Sequence, residues 1–552
     1  MNLPFVTKRE LARAWQIFKV IGQYGLAPLA QASGISRLFG VRIWRRMERR
    51  FQNIPPPVRL RLALTELGTT FIKLGQVLSA RSDLLPQDYL TELSKLQDEV
   101  PALPFELMEP VFRAAFGYSP YETFRTFDPV PVAAASIGQV YRADLHDGTQ
   151  VVVKIQRPGL VAQVNTDLSL MRRVAGIAHR SSWLQRFDLP SLVREFSFII
   201  QDELLYTLEG HNAETLAKEV AGHPKVALPQ VYWPYTTRQV LTTHWIDGIK
   251  ITDIEALTVA GIDRKQLSVD LANSLLEQIL LFGMFHGDPH PGNLLVTRDG
   301  TLVFLDTGIV GRLDRHNREL LIELAISIFD QDIDAILNHL QQLGLVNDIG
   351  NIPALRRDLS RLITKYYFLP RKELRLGELL QRINSLLFEH NIRMAYEFGL
   401  MAKTLFLAEG VAQELDPDFD YNEAARPVIE EIRRRYYSAQ TFIDDSLREF
   451  RGLRRQIVDL PRRMNAVLGH LERGTLRVRL NDETLEQKDA AQQTMVNRVS
   501  FALLTVGVLI ACALLISAHP TGLVRYMATA GLAIDVAFII TLLLSMLKSG
   551  SL

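Results

Sequence analysis

The sequence holds a single cysteine, Cys512, in 552 residues. Disulfide frameworks and cysteine-based zinc sites are therefore excluded. Charge of one sign is also scarce: 62 basic and 61 acidic side chains leave a formal net charge of +1. Nothing drives the whole chain toward nucleic acid or strongly acidic partners. There is no Walker lysine loop, internal repeat, low-complexity tract or nucleic-acid module. The chain does not open on a charged segment, a short apolar stretch and a small-residue cleavage site, so its bulk is expected to be cytosolic. What remains is apolar. Hydrophobic residues make up 47%, enough for a large core, and the length suits two to four domains.

One stretch organises the rest. It is His286-Gly287-Asp288-Pro289-His290-Pro291-Gly292-Asn293, followed by Phe304-Leu305-Asp306-Thr307-Gly308. An acid, an amide five residues on, and a second acid after an apolar run match the order of the catalytic and metal loops of protein kinases. Phosphoryl transfer needs a carboxylate to orient the nucleophile, here Asp288. It also needs hard oxygen ligands for magnesium, here Asn293 and Asp306. The prolines and Gly292 turn and stiffen the loop, so that three polar groups can face one point. The plain alternative is a polar turn before a buried strand; a second set of residues upstream weighs against it.

Upstream, Leu60 to Leu96 reads as strongly helical, and Lys73 and Gln76 share one face of it. From Val130 the period changes. Two β-rich runs, Val140–Leu145 and Val151–Ile155, flank Asp147-Gly148 and predict a hairpin. Ahead of them, small residues from Ala133 to Gly138 permit close backbone approach to a ligand and offer N–H groups to phosphates. Lys154 alternates with Val153 and Ile155, and a lysine in so apolar a strand needs an anionic partner. Residues 160–222 read as helical, and either Glu203 or Glu209 can supply that partner. Val240 to Gly248 reads as a strand entering a turn, and Leu267–Phe282 as an apolar helix leading into the Asp288 loop. Beyond Gly311 the chain reads as helical to about Ala439.

The two ends differ from this body. In residues 1–55, Leu11, Trp15, Phe18 and Ile21 recur at helical spacing among Lys8, Arg9, Arg13 and Lys19, and Arg42, Arg45, Arg46, Arg49 and Arg50 follow. Such helices can lie on an anionic membrane surface or simply present a solvated face. The stretch Arg451–Arg463 reads as a charged linker. Val499–Ala518 and Tyr526–Leu547 are each long enough to cross the hydrocarbon core, with His519-Pro520-Thr521-Gly522 between them. Arginines upstream and Lys548 at the outer ends put the large domain in the cytoplasm, against which Arg525 in the turn counts. Asp535 is costly in lipid and is expected to face the partner helix or a second subunit, as in a homodimer.

Taken together, these motifs resemble the UbiB family of atypical kinase-like proteins, which includes the mitochondrial coenzyme Q accessory kinases. The likeness runs from about Leu60 to Asp418. It rests on Lys73-Leu74-Gly75-Gln76, on Ala133-Ala134-Ala135-Ser136, on Val153-Lys154-Ile155-Gln156-Arg157-Pro158-Gly159, and on the two loops above. The resemblance implies an α+β, protein-kinase-like two-lobe fold. A helical extension (56–125) would follow the basic N-terminus (1–55) and precede a small β-rich lobe (126–248) and a helical lobe (249–440). A basic linker (441–498) and a transmembrane helical hairpin (499–552) would end the chain, anchoring it in the inner or plasma membrane.

By the same resemblance, Lys154 would hold the α- and β-phosphates of ATP, with Glu203 paired to it. Ala133, Ala134, Ala135, Ser136, Ile137 and Gly138 would take the place of a glycine-rich loop, and the hinge positions His244 and Ile246 would complete the nucleotide site. Asp288 would be the catalytic acid/base and Asn293 and Asp306 the magnesium ligands, while Lys73 and Gln76 would cover the site. The activity implied is magnesium-dependent ATP hydrolysis or atypical phosphoryl transfer in support of ubiquinone or other prenylquinone synthesis. Expected partners are anionic membrane lipids, quinone or lipid precursors and quinone-biosynthesis enzymes, with no nucleic acid. The sequence departs from the family at three points. Glu203-Leu204-Leu205 lacks the second acid of the family's Glu-x-Asp, which puts the Lys73 contact in doubt. Thr307 stands where kinases carry phenylalanine, and Thr243-His244-Trp245 lacks the usual hinge glutamate.

Overall fold

A computed structural model of the protein describes residues 7–25, 54–81, 83–96, 100–179, 188–329, 332–343, 352–368 and 395–436, with isolated positions between 382 and 392. The expectations for Arg42–Arg50, Arg451–Arg463 and the two apolar spans after Arg498 fall outside the described residues. Among the described residues, no helix is long and apolar enough to cross a membrane.

The Asp147-Gly148 turn closes the hairpin at the centre of the first sheet. Gly148 sits at φ 91°, a conformation open to glycine. The Asp147 carboxylate accepts the Thr149 N–H at 2.9 Å. The turn joins β3 (Gly138–Asp144) to β4 (Gln150–Gln156). The sheet runs β1 (Thr126–Phe127), β3, β4, β6 (Val240–His244), with β2 (Ala133–Ala134) also paired to β3. On one face of β4, Val151, Val153 and Ile155 are fully buried against Phe112, Phe124, Phe127 and Tyr141. Strand alternation sends Lys154 to the other face, opposite Val140 on β3 and Leu241 on β6.

The run from Leu60 to Leu96 is helical as expected and falls into three helices: Pro56–Leu67, Thr69–Ser79 and Gln87–Leu93. Gly68, at φ 88°, breaks the first from the second. Gly75 lets the second pack directly on its neighbours, since a Cβ there would overlap Leu96 Cδ1 and lie 2.9 Å from Leu64 Cδ1. An N-terminal helix, Lys8–Gln23, docks alongside. Its Arg13 donates to the fully buried Asp167 carboxylate at 2.7 Å.

The helical lobe is built on Arg264–Glu277, which packs against Tyr396–Leu415 and Tyr421–Tyr436. A π turn, Gln278–Phe282, ends the central helix, and its Gln278 side chain accepts the His286 N–H at 2.9 Å. A second sheet runs β5 (Val226–Ala227), β10 (Leu302–Phe304), β9 (Leu294–Thr297), β7 (Gly248–Lys250). The β9–β10 hairpin is the scaffold of the two motifs: the Asp288–Asn293 loop leads into it and Asp306 leaves it. A short ribbon of β8 (Met284–His286) and β11 (Val310–Arg312) ties the two loops together beyond it.

Candidate active site

The structure gathers the motif residues around one cleft of about 870 Å³, lined among others by Lys73, Gln76, Lys154, Asp288, Asn293 and Asp306. Three lysines, from three distant parts of the chain, meet carboxylates there. Lys154 Nζ lies 2.7 Å from Glu209 Oε1 and 3.0 Å from Asp306 Oδ2. Lys73 is ion-paired with Glu203, both side chains almost wholly buried. Lys403, on the helix Tyr396–Leu415, lies 3.0 Å from Asp288 Oδ1.

The Lys154 pairing corrects the expectation taken from the family resemblance. Glu203 ends the helix Leu189–Glu203, and the chain turns at Leu204 and Leu205 before Tyr206–Glu219 begins. The turn separates the two glutamates, so Glu209 reaches Lys154 while Glu203 reaches Lys73 on the helix Thr69–Ser79. The loss of the second acid at Leu205 does not remove the Lys73 contact, because Glu203 itself makes it.

Electrostatics follow from burial. Burial pushes the Glu209 carboxyl up to about 7, against the opposing pull of Lys154, and its Oε2 has no hydrogen-bond partner. Burial would raise Asp306 as well. There the charge of Lys154, together with the Gly308 N–H donated to Oδ1 at 2.8 Å, holds the carboxyl well below the usual range. Asp288 is likewise kept low against burial, chiefly by Lys403. One lysine thus bridges two carboxylates that burial and charge push in opposite directions, Glu209 up and Asp306 down.

Asp288 and Asp306 are held by a common device. The Asp288 N–H donates to His286 Nδ1 at 3.2 Å. The ring proton is therefore on Nε2, where it is shared with the Asp306 carbonyl oxygen. Burial lowers the His286 pKa and keeps the ring neutral. Asn293 Nδ2 donates to the Asp288 carbonyl at 3.2 Å. Thr307, in the place of a phenylalanine, is buried, and its hydroxyl donates to the Glu209 carbonyl at 2.9 Å. That bond ties the metal loop to the Glu209 helix.

The alanine loop enters the cleft with Ala133, Ala134, Ala135 and Ile137. Arg157 fixes its shape by donating from Nε to the Ala135 carbonyl at 2.9 Å, and Thr69 of the extension donates to the Ser136 carbonyl at 2.8 Å. Ser136 is fully buried and does not line the cleft. Neither does Gly138. A Cβ on Gly138 would overlap the Tyr206 hydroxyl and lie 2.7 Å from the Ile155 carbonyl oxygen, so close packing rather than ligand approach explains that glycine. His244 and Ile246 stand at and just past the end of β6, away from the cleft lining. The His244 ring meets the Tyr232 hydroxyl at 3.3 Å.

Among the described residues no group of three or more His, Cys, Asp or Glu side chains forms a metal cage. Magnesium does not require one: it is commonly held by one or two carboxylates together with substrate phosphates. Asp306, held ionised, and Asn293 line the same cleft and fit that pattern. Sequence reasoning missed Lys403. The signal was present, since Lys403 lies in the apolar stretch Gly399–Ala408 and a buried lysine demands a counter-charge by the same reasoning that singled out Lys154.

A β-rich lobe carrying a paired lysine, a helical lobe carrying the aspartate and asparagine loops, and a cleft between them define an atypical kinase-like domain. Residues 95–340 match the ABC1 atypical kinase-like domain, and residues 359–420 match the UbiB helical domain. The probable protein kinase UbiB of Xylella fastidiosa is 32% identical over 533 residues, covering 93% of this chain and 95% of that protein. The uncharacterized protein sll1770 of Synechocystis is 34% identical over 464 residues, covering 83% and 78%. The chloroplastic protein ACTIVITY OF BC1 COMPLEX KINASE 7 of Arabidopsis thaliana is 31% identical, covering 81% and 66%. Among solved structures, the Rv3197–erythromycin complex from Mycobacterium tuberculosis is 25% identical with a TM-score of 0.46, covering 66% and 93%. The chain belongs to the UbiB/ABC1 family of atypical kinase-like proteins.

Proposed function

We propose that the protein is a membrane-anchored, magnesium-dependent ATPase or atypical kinase that supports synthesis of ubiquinone or another prenylquinone. The carrying observation is Lys154 bridged to Glu209 and Asp306 in the same cleft as Asp288 and Asn293. Lys154 would meet the α- and β-phosphates of ATP. Asn293 and Asp306 would hold magnesium, which would neutralise charge developing on the phosphates. Asp288 would orient the attacking oxygen and accept its proton. Family membership supports the link to quinone synthesis, and the two apolar spans after Arg498 support the anchor.

The covering helix favours a small or lipid acceptor over a protein. Lys73 and Gln76 of the extension form part of the cleft wall, which would hinder an extended peptide from entering there. The deciding experiment follows ATP with purified protein in anionic liposomes containing candidate acceptors. Phosphate release without a labelled acceptor supports an ATPase. A labelled lipid or protein makes it a kinase. Nucleotide binding without turnover makes it a scaffold and overturns the enzymatic reading.

A further inference from the structure

The Asp288 loop contains no lysine or arginine between Asp288 and Asn293. Phosphoryl transfer spreads negative charge over the oxygens of the group in flight, and positively charged side chains aimed at that charge are the usual answer. In the reading above Lys154, beside Glu209 and Asp306, is taken up by the α- and β-phosphates, and Lys73 is paired with Glu203. The cation next to Asp288 comes instead from the helical domain. Lys403 lines the same cleft, is mostly buried, and lies 3.0 Å from Asp288 Oδ1. Its neighbour Thr404 donates to the His286 carbonyl at 3.2 Å, which fixes this turn of the helix against the base of the loop. The backbone position is thus set, while the flexible lysine stem can reach either way from it.

We propose that Lys403 is the cation for the transferred γ-phosphoryl group, and that it leaves Asp288 for that group when a triphosphate binds. This rests on the functional reading above. Without nucleotide, Lys403 occupies the carboxylate that must later accept a proton. With a triphosphate bound, it turns to the γ-phosphoryl oxygens and uncovers Asp288. The attacking oxygen then forms its bond to the γ-phosphorus and gives its proton to Asp288. The bond from that phosphorus to the β,γ-bridging oxygen breaks, and ADP leaves with the electron pair. The helical domain would thereby distinguish a triphosphate from a diphosphate.

The test compares dissociation constants for magnesium-ATP and magnesium-ADP in the full-length protein, its Lys403→Met variant and its Lys403→Arg variant. Lys403→Met is expected to weaken ATP by about tenfold or more, the scale of a hydrogen bond to a charged group, with ADP nearly unchanged. Lys403→Arg is expected to restore most of the ATP affinity. Should the methionine variant fail to fold, Lys403→Gln, which keeps a hydrogen-bond donor near Asp288, carries the same comparison. Equal losses for ATP and ADP, or no loss for either, overturn the role of Lys403 and leave the functional reading standing. Failure of the wild-type protein to bind either nucleotide overturns both.

Discussion

Replacing Glu209 by glutamine should cost little stability, although it removes a partner from a buried ion pair. The carboxyl is pushed from 4.5 to about 7, so ionising it in place costs about 3 kcal/mol at the conversion of 1.36 kcal/mol per unit. Glutamine removes that cost and keeps the shape, and Lys154 retains Asp306 at 3.0 Å. The sign follows from linkage. A carboxyl whose folded pKa is raised binds its proton more tightly when folded. Its stabilising share is complete below about pH 4.5 and is lost as pH rises through about 7. Relative to wild type, Glu209→Gln should therefore gain about 3 kcal/mol between pH 4.5 and pH 8. Glu203→Gln should behave differently, because it strips a carboxylate from the buried Lys73, a change that typically costs about 3–5 kcal/mol. Urea unfolding of both variants at the two pH values reads these differences. A Glu209→Gln penalty at pH 8 as large as that of Glu203→Gln, or no pH dependence in the difference, would refute the shared-lysine arrangement.

Gly75→Ala should destabilise by about 1–3 kcal/mol despite the better helix propensity of alanine, because the added methyl meets Leu96 and Leu64; an unchanged unfolding midpoint would show that the extension packs more loosely. His286 is held neutral by burial, so its contribution is present above the unfolded pKa of about 6.5 and falls away as pH drops below it, by at most about 1.4 kcal/mol per unit. His286→Gln should flatten that part of the stability profile, and an identical acid slope in the variant would count against it. Truncation after Ala490 should release the protein from membranes while nucleotide binding persists; weak, salt-sensitive attachment through the basic N-terminus is compatible with this. Unfolding of the truncated chain, with full-length protein soluble without detergent, would make the two apolar spans core helices.

Much of the site was legible because its chemistry is local in sequence. The Asp288–Asn293 spacing, the Asp306 loop and the Asp147-Gly148 hairpin each carry their geometry within a few residues. Lys154 was legible for a related reason: strand alternation fixes its face and burial dictates a partner. Which partner was not legible. Glu203 and Glu209 lie on different helices, and the choice between them depends on the turn at Leu204 and Leu205. The break at Gly68 was also hidden, since the flanking residues continue the apolar pattern on both sides. Lys403 carried a signal in its apolar surroundings, but its partner Asp288 depended on a contact between segments far apart in the chain. Ser136 and Gly138 show the reverse case: small residues suggested a ligand cradle, while both lie outside the cleft lining and Gly138 packs closely on Tyr206 and Ile155.

The central claim is that Asp306, with Asn293, presents a divalent metal and its nucleotide to Lys154 and Asp288. Titration of manganese–ATP into wild-type protein and Asp306→Asn, read by the paramagnetic signal of the bound metal, tests it most directly. The account predicts metal-dependent nucleotide binding in wild type and its loss in Asp306→Asn, because the amide removes the charge that holds the metal. Equal manganese–ATP affinity in the two proteins would contradict it.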